Sequence, residues 1–181
     1  MSAVYLLLLL IPVISAQTFH WGPCPTPKVQ SNFTLQPYLG KWYEIERLPA
    51  YFATGKCIRA NYTMREDGTV RVLNSQVGDD RWSIEGTAKV IDPQEPAKLK
   101  VNFSPLLPYA PYWVLSTDYT SYTVVYSCTS VFGRMHFYFA WIFSRSSSLP
   151  PETVRNAKQV LIEEGIDISK MTPTDQKCKD N

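Results

Sequence analysis

The chain has 181 residues, which suits one domain with a full hydrophobic core and is too short for two domains of ordinary size. Apolar residues make up 45% and charged residues 19%, which is typical of a folded globular chain and argues against disorder. The net charge is +2, from 18 basic and 16 acidic residues with no basic block, so we expect no nucleic-acid partner.

An uncharged apolar run, Val4–Ile14, stands at the start of the sequence and ends just before Ser15, Ala16 and Gln17. It is shorter than the 20 or so residues that cross a bilayer. Its length and the small residue at position 16 are typical of a secretory signal peptide, the alternatives being a buried first helix or a membrane anchor. We predict a signal peptide over residues 1–16, a single domain over residues 17–181, and a secreted, extracellular protein.

The cysteine content agrees with export. An even number of cysteines in an exported chain predicts two disulfides, and their spacing leaves all three pairings open. The chain has no C-x-x-C pair and only two histidines, so we expect no metal site and no cofactor. The four cysteines are Cys24, Cys57, Cys128 and Cys178.

Three glycosylation sequons also agree with export. They place acceptor side chains at Asn32, Asn61 and Asn102. Pro105 directly follows the third sequon and weakens it, and Asn61 is the strongest candidate.

Between Lys41 and Arg145 the sequence consists of short apolar and aromatic runs separated by turn residues. Most runs are rich in Val, Ile, Tyr, Phe and Thr, and no helical pattern interrupts them, which indicates an antiparallel sheet and excludes βαβ units. Closure into a barrel would hide the edges of such a sheet completely. We predict eight strands, over Trp42–Leu48, Ile58–Met64, Val70–Val77, Trp82–Ile91, Leu99–Phe103, Tyr112–Thr117, Tyr122–Cys128 and His136–Phe143.

A helix is predicted after the last strand. Pro150 and Pro151 are tolerated in a first helical turn, and Glu152 suits the positive end of the helix dipole. Apolar side chains then recur at helical spacing, and Gly165 provides a stop signal. We expect one amphipathic helix that packs on the barrel wall.

The last predicted strand has one strongly aromatic face. Phe137, Phe139, Trp141 and Phe143 share this face, and Arg145 has the same parity. The face could line a hollow interior or simply pack a solid core. In either case Arg145 would point inward, where its charge needs partners.

Three motifs in order make the chain resemble the lipocalins. Gly40-Lys41-Trp42-Tyr43 precedes the first strand, Thr117-Asp118-Tyr119 joins two late strands, and Arg145 follows the last one. The likeness continues over essentially the whole predicted mature chain. It implies an all-β, eight-stranded antiparallel up-and-down barrel with one C-terminal α-helix on its wall, closed at one end and open to a lipid pocket at the other.

The resemblance also implies roles for individual residues. The motif residues Gly40, Trp42, Thr117, Asp118, Tyr119 and Arg145 would be structural and would close the barrel floor. The family pairing of cysteines would be Cys24–Cys128 and Cys57–Cys178. The pocket residues carried over by position are Tyr62, Asn74, Phe103 and Trp141, to which the sequence pattern adds Tyr112 and Phe139.

Two loops at the presumed open end carry apolar side chains. Apolar loop tips cost solubility, so they indicate contact with a lipid or partner surface, although packing across the rim of the barrel would also explain them. These residues are Leu106 and Leu107 in one loop and Val131 and Phe132 in the other.

These features together predict a carrier that transports small hydrophobic ligands such as fatty acids, steroid-like compounds or tetrapyrrole-like pigments. The alternative is an interaction protein whose loops bind lipoprotein particles, membranes or a receptor. Catalysis is the least favoured of the three hypotheses, because two disulfides would leave no cysteine thiol to act as a nucleophile. We expect no catalytic residue.

Overall fold

The computed structural model describes residues 18–78 and 81–178, so the predicted signal peptide lies outside the described residues. The helices in these ranges are α1 (Leu35–Tyr38) and α2 (Pro151–Glu163). The strands are β1 (Thr18–Trp21), β2 (Gly40–Arg47), β3 (Lys56–Met64), β4 (Val70–Val77), β5 (Arg81–Val90), β6 (Lys98–Asn102), β7 (Ala110–Thr117), β8 (Tyr122–Val131), β9 (Met135–Ser144) and β10 (Thr172–Pro173).

Strands β2 to β9 form one antiparallel sheet in sequence order, and β9 also pairs with β2, which closes the sheet into a barrel. The predicted eight-stranded up-and-down barrel with a C-terminal helix is therefore confirmed. Strand β4 has the predicted bounds, whereas β8 is three residues longer than predicted because its pairing with β9 continues to Val131↔Met135. Val131, predicted to lie in a loop, is thus a half-buried residue at a strand end.

The barrel has one closed and one open end. The connections after β2, β4, β6 and β8 lie at the open end, and those after β3, β5 and β7 lie at the closed end together with α1. At the closed end, Trp42 and Tyr38 are almost fully buried in contact with each other, with ring centroids 5.3 Å apart, and Phe33 packs beside Tyr38. These rings plug the barrel floor.

Arg145 holds the floor together. Its guanidinium carbon lies 3.7 Å from the centroid of the Trp42 ring, a distance at which cation–π attraction is strong. The same group donates hydrogen bonds to the carbonyl oxygens of Lys41, Pro37, Tyr38 and Tyr119 at 2.8–3.3 Å. One side chain therefore ties α1, β2 and the β7–β8 connection together.

The other motif residues shape the backbone around this contact. Gly40 has φ +95°, and a Cβ added there would lie 3.4 Å from Arg145 Nη1, so glycine suits both the conformation and the close approach. Thr117 Oγ1 donates to the Tyr122 carbonyl and accepts from the Tyr119 amide. Asp118 Oδ1 accepts from three backbone amides, those of Thr120, Ser121 and Tyr122.

Helix α2 packs on the outer face of the barrel. It begins at Pro151, and Gly165, with φ +74°, follows its end, as the sequence signals predict. Ala157 and Leu161 are buried in the cluster of outward side chains from β7, β8 and β9. Within residues 18–78 and 81–178, no helix combines the length and apolar character that crossing a bilayer requires.

A short strand, β1, lengthens the sheet beyond the barrel and was not predicted. It pairs with the open-end half of β9, with His20 opposite His136. A disulfide between Cys24 and Cys128, with the Cα atoms 6.0 Å apart, follows it. Four residues next to the predicted signal peptide carry too short a pattern to identify a strand from sequence.

The C-terminal tail, residues 172–178, fills a gap in the barrel wall. Strands β2 and β3 pair directly only near the closed end, from Gly40↔Tyr62 to Tyr43↔Arg59. Beyond that point the tail lies between them, and Gln176 Nε2 donates to carbonyls on both strands, at 2.7 and 2.8 Å. The Cys57–Cys178 disulfide fixes the end of the tail to β3.

Candidate ligand-binding cavity

A cavity of about 440 Å³ occupies the barrel above its aromatic floor. This volume lies within the range of pockets that hold small organic ligands. The wall residues that carry the analysis below are Glu44, Ala60, Tyr62, Asn74, Phe103, Tyr112, Phe139 and Trp141.

The aromatic face of β9 forms one wall of the cavity. Phe139 stacks on Trp141 at 5.7 Å and meets Phe137 edge-on at 5.8 Å. Phe52, from the β2–β3 loop at the open end, covers Phe139 at 5.3 Å. The sequence left two alternatives for this face, a hollow interior and a solid core. The structure has the hollow interior.

Tyr62 and Tyr112 line the lower part of the cavity, and Tyr38, which does not border the cavity, is hydrogen-bonded to Tyr112. The Tyr112 hydroxyl lies 2.8 Å from that of Tyr62 and 2.9 Å from that of Tyr38, so the three phenols form one hydrogen-bonded chain. Burial raises the pKa of each phenol, that of Tyr38 to about 12, so all three stay neutral at physiological pH. The floor therefore offers neutral hydroxyl groups and flat rings to a ligand.

Phe103 reaches the cavity because its neighbour is a glycine. A Cβ added to Gly86 would lie 2.5 Å from Phe103 Cδ1, so only glycine leaves room for the ring. Aromatic rings commonly cover strand glycines in this way.

Asn74 is an unpaired polar group on the cavity wall. Its Oδ1 atom is buried and has no hydrogen-bond partner among the described residues. A buried amide without a partner costs about 1–3 kcal/mol, which a ligand could recover by supplying the missing hydrogen bond. The amide has both a donor and an acceptor, so it can orient a carbonyl, carboxyl or hydroxyl group.

Glu44 places a carboxylate on the same wall, and this position was not predicted. Its Oε1 accepts from Arg47 Nη1 at 2.7 Å and from Thr174 Oγ1 at 2.6 Å. Burial raises the pKa of Glu44, and Arg47 opposes that shift. The ion pair neutralises the charge, so the interior has no free cation at this point.

The structure brings all six predicted ligand residues to the one cavity. Each of Tyr62, Asn74, Phe103, Tyr112, Phe139 and Trp141 borders it. Of the predicted open-end contacts, Leu106, Leu107 and Phe132 are 91%, 65% and 96% exposed, and we call these three residues the rim.

The wall residues that sequence reasoning missed differ in how they could have been found. Glu44 shares the inward parity of Trp42, and Gln76 shares that of Asn74, so alternation along the strand was an available signal. Phe52 lies in a loop, where no periodicity indicates direction.

The histidines and cysteines lie away from the cavity wall. His20 on β1 and His136 on β9 stack on each other and on Tyr138, outside the barrel. Burial and the neighbouring His136 lower the pKa of His20. All four cysteines are paired, in the combination that the resemblance implies.

The three sequon asparagines differ in their surroundings. Asn32 is exposed in a turn and Asn61 is half-buried on the outer face of β3. Asn102 is engaged locally, because its Nδ2 donates to the Leu107 carbonyl and its Oδ1 accepts from the Ser104 amide. One N–H of the Asn102 amide and its oxygen therefore hydrogen-bond within the β6–β7 loop region.

Comparison with known proteins gives consistent matches over most of the chain. A family model described as a lipocalin-like domain matches residues 33–176. Apolipoprotein D from Mus musculus is 50% identical over 174 residues, covering 94% of this chain and 92% of the relative, and bilin-binding protein from Pieris brassicae is 34% identical, covering 87% and 86%. The solved structure of insecticyanin from the tobacco hornworm Manduca sexta has a TM-score of 0.76 and 30% identity, covering 88% of this chain and 89% of that one.

Proposed function

The chain belongs to the lipocalin family, and from this premise we propose that it is a secreted, apolipoprotein D-like carrier of small hydrophobic ligands. The ligand would lie in the barrel cavity, and fatty acids, steroid-like compounds and tetrapyrrole-like pigments are the candidate classes. The name of one relative, bilin-binding protein, keeps the pigment class among the candidates.

The observation that carries this proposal is the aromatic-walled cavity with a single unpaired amide. Burying about ten methylenes contributes roughly 8 kcal/mol, and association costs at least about 4 kcal/mol. Apolar burial alone therefore gives binding no tighter than about millimolar. Ring contacts and the Asn74 hydrogen bond supply the remainder, so we expect affinities near micromolar.

Tryptophan emission tests the proposal directly, because Trp141 lies on the cavity wall. Titration with palmitic acid and with progesterone should give saturable changes in emission for both. A correctly folded protein that shows no change with either ligand would contradict a lipid cavity bordered by Trp141.

Replacing Asn74 by leucine should separate binding from stability. We expect affinity for a ligand with a polar head to fall about tenfold, because one directional hydrogen bond is lost. The free energy of unfolding should rise by about 1 kcal/mol, because a buried unpaired amide is removed. Emission titration and urea unfolding measure the two effects.

Asn61→Leu is the matched control for this prediction, because Asn61 lies on the outer face of the neighbouring strand. In unglycosylated protein it should leave affinity unchanged. If Asn74→Leu binds as tightly as the unchanged chain, Asn74 does not orient the ligand.

Several features support export. Residues 1–16 are proposed as the signal peptide and residues 17–181 as the single mature domain. Two disulfides suit an oxidising compartment. We propose Asn61, Asn32 and Asn102 as glycosylation sites, with Asn61 the strongest candidate and Asn102, whose sequon Pro105 follows, the weakest.

We propose that the protein is a carrier with no catalytic role. Pairing of all four cysteines leaves no thiol, and the two histidines lie outside the barrel. Among the described residues that border the ligand space there is no cysteine or histidine, and the Glu44 carboxylate is paired with Arg47.

A second function is favoured by the exposed rim, namely docking on a lipoprotein particle or a membrane. The rim leucines and Phe132 present apolar side chains to water at the open end. We expect the double substitution Leu106→Ser and Phe132→Ser to reduce severalfold the fraction of protein that floats with phosphatidylcholine vesicles. The affinity for palmitate should stay unchanged.

Ile162→Ser is the control for the docking prediction, because Ile162 is 50% exposed on α2, away from the rim. Flotation that is weak for the unchanged chain, or equally reduced by Ile162→Ser, would reject docking through the rim.

A further inference from the structure

The two histidines of the chain face each other on the outside of the barrel, near its open end. His20 on β1 lies directly opposite His136 on β9, and their rings stack with centroids 5.3 Å apart. The ring of His20 also stacks on that of Tyr138, with centroids 4.7 Å apart. We call these three side chains the histidine stack.

The surroundings of His20 do not suit an added proton. His136 Nδ1 lies 3.0 Å from the Gly22 carbonyl oxygen, which can only accept a hydrogen bond, so Nδ1 carries the hydrogen. His20 Nε2 is buried and has no hydrogen-bond partner among the described residues. Both nitrogens of a charged imidazole carry hydrogen, so protonated His20 would hold a buried N–H without an acceptor.

The groups around His20 keep it neutral. Burial lowers the pKa of His20 below its ordinary value of 6.5, and the neighbouring His136 lowers it further. In the segment after α2, Asp167 opposes this shift and Lys170 adds to it. The Tyr138 phenol stays neutral because burial raises its pKa, and β1 carries no other charged residue.

Acid therefore favours the state in which β1 has left the sheet. A histidine whose pKa is lower in the paired state than in the released state binds more protons after release. Pairing of β1 is thus strongest above pH 6.5, and it weakens as the pH falls through the lowered pKa of His20.

Strand β1 occupies the part of the β9 edge that β2 leaves free. Strand β2 pairs with β9 over residues 141–144, whereas β1 pairs with it over residues 135–138, nearer the open end. Within that stretch, Phe137 lies on the opposite face from the histidine stack and borders the cavity. The pairing of β1 therefore supports a cavity wall at its mouth.

We propose that β1 is an acid-released latch at the mouth of the cavity, and that protonation of His20 loosens the mouth and lets the ligand leave. The Cys24–Cys128 disulfide closely follows β1 and keeps the released strand attached to the barrel. This inference rests on the proposed carrier function and adds the condition for release. Such a carrier holds its ligand in neutral extracellular fluid and gives it up in an acidified compartment.

Hydrogen exchange and ligand affinity test the latch in the unchanged mature protein. Between about pH 7.4 and about pH 5.5, with EDTA present to remove metal ions, the amides of residues 18–21 should exchange severalfold faster after correction for the intrinsic effect of pH. The amides of β4 should show no such change. Over the same interval the affinity for progesterone, which has no ionisable group, should fall severalfold.

Two substitutions at His20 should act in opposite directions. His20→Phe keeps a ring in the stack but cannot be protonated, so slow exchange and tight binding should persist at about pH 5.5. His20→Lys carries a permanent charge and should show the acid behaviour already at about pH 7.4. Ile162→Lys adds the same charge at an exposed position on α2 and is the matched control, which should behave as the unchanged chain.

The possible failures are distinguishable. Exchange of residues 18–21 that does not respond to acid, or responds equally in His20→Phe, overturns the latch. Faster exchange with constant progesterone affinity means that β1 is released without opening the cavity, and this result also overturns the proposal. Absence of binding for both progesterone and palmitate at neutral pH rejects the carrier function itself.

Discussion

Replacing Arg145 by alanine is expected to lower the free energy of unfolding by about 3 kcal/mol. The guanidinium donates to four carbonyl oxygens and lies 3.7 Å from the Trp42 ring. Its removal takes one donor from each carbonyl and ends the ring contact, and within the described residues only the Tyr38 carbonyl keeps a side-chain donor, the Trp42 indole N–H. Hydrogen bonds from a charged group and a desolvated cation–π contact are each worth more than one neutral hydrogen bond. Urea unfolding followed by circular dichroism measures the loss.

Two further arginine variants make this prediction specific. Arg145→Lys keeps the positive charge but lacks the planar set of guanidinium N–H donors. It should therefore recover less than half of the unfolding free energy that Arg145→Ala loses. Arg155→Ala removes an exposed arginine from α2 and should change stability by less than about 0.5 kcal/mol. If Arg145→Ala is as stable as Arg155→Ala, the floor does not depend on this side chain.

Filling the cavity is expected to abolish most ligand binding without unfolding the protein. Ala60 faces inward on β3 and borders the cavity, so Ala60→Phe would place a ring where the ligand lies. Displacing about four methylenes of ligand costs roughly 3 kcal/mol, equivalent to about a hundredfold loss of affinity. Because the ring enters open space, we expect the free energy of unfolding to stay within about 1 kcal/mol of its original value.

The matched control adds the same ring to the outside of the barrel. Lys100 is exposed on β6, and Lys100→Phe should leave palmitate affinity unchanged. Retention of full affinity by Ala60→Phe would place the ligand elsewhere and contradict the proposed function.

Much of the barrel could be predicted from the sequence, because turn residues separate strands that alternate in polarity. Strand β4 is the clearest case, since Glu66-Asp67-Gly68 and Gly78-Asp79-Asp80 mark its two limits. Strands β1 and β10 could not be predicted, because two to four residues carry no period and their pairing depends on partners far along the chain.

The site was predictable wherever a strand fixes the direction of a side chain. Alternation along β9 places Phe139 and Trp141 on one face, and the structure has both on the cavity wall. The pairing of Glu44 with Arg47 inside the barrel was not predictable, because a charged residue in a strand is usually expected to face water. Phe52 covers Phe139 only because the β2–β3 loop folds back over the cavity. Neither strand alternation nor secondary-structure propensity predicts the path of a loop.

The place of the tail in the barrel wall has a consequence for biosynthesis. Strand β2 is synthesised before β3 to β8, whereas its neighbours β9 and the tail are synthesised after them. The wall therefore cannot be completed until residues 172–178 have been translated, and the aromatic interior stays accessible to chaperones until then. The cysteine partners 121 positions apart can then be joined only after synthesis has delivered position 178, which makes oxidation of that pair a late marker of maturation.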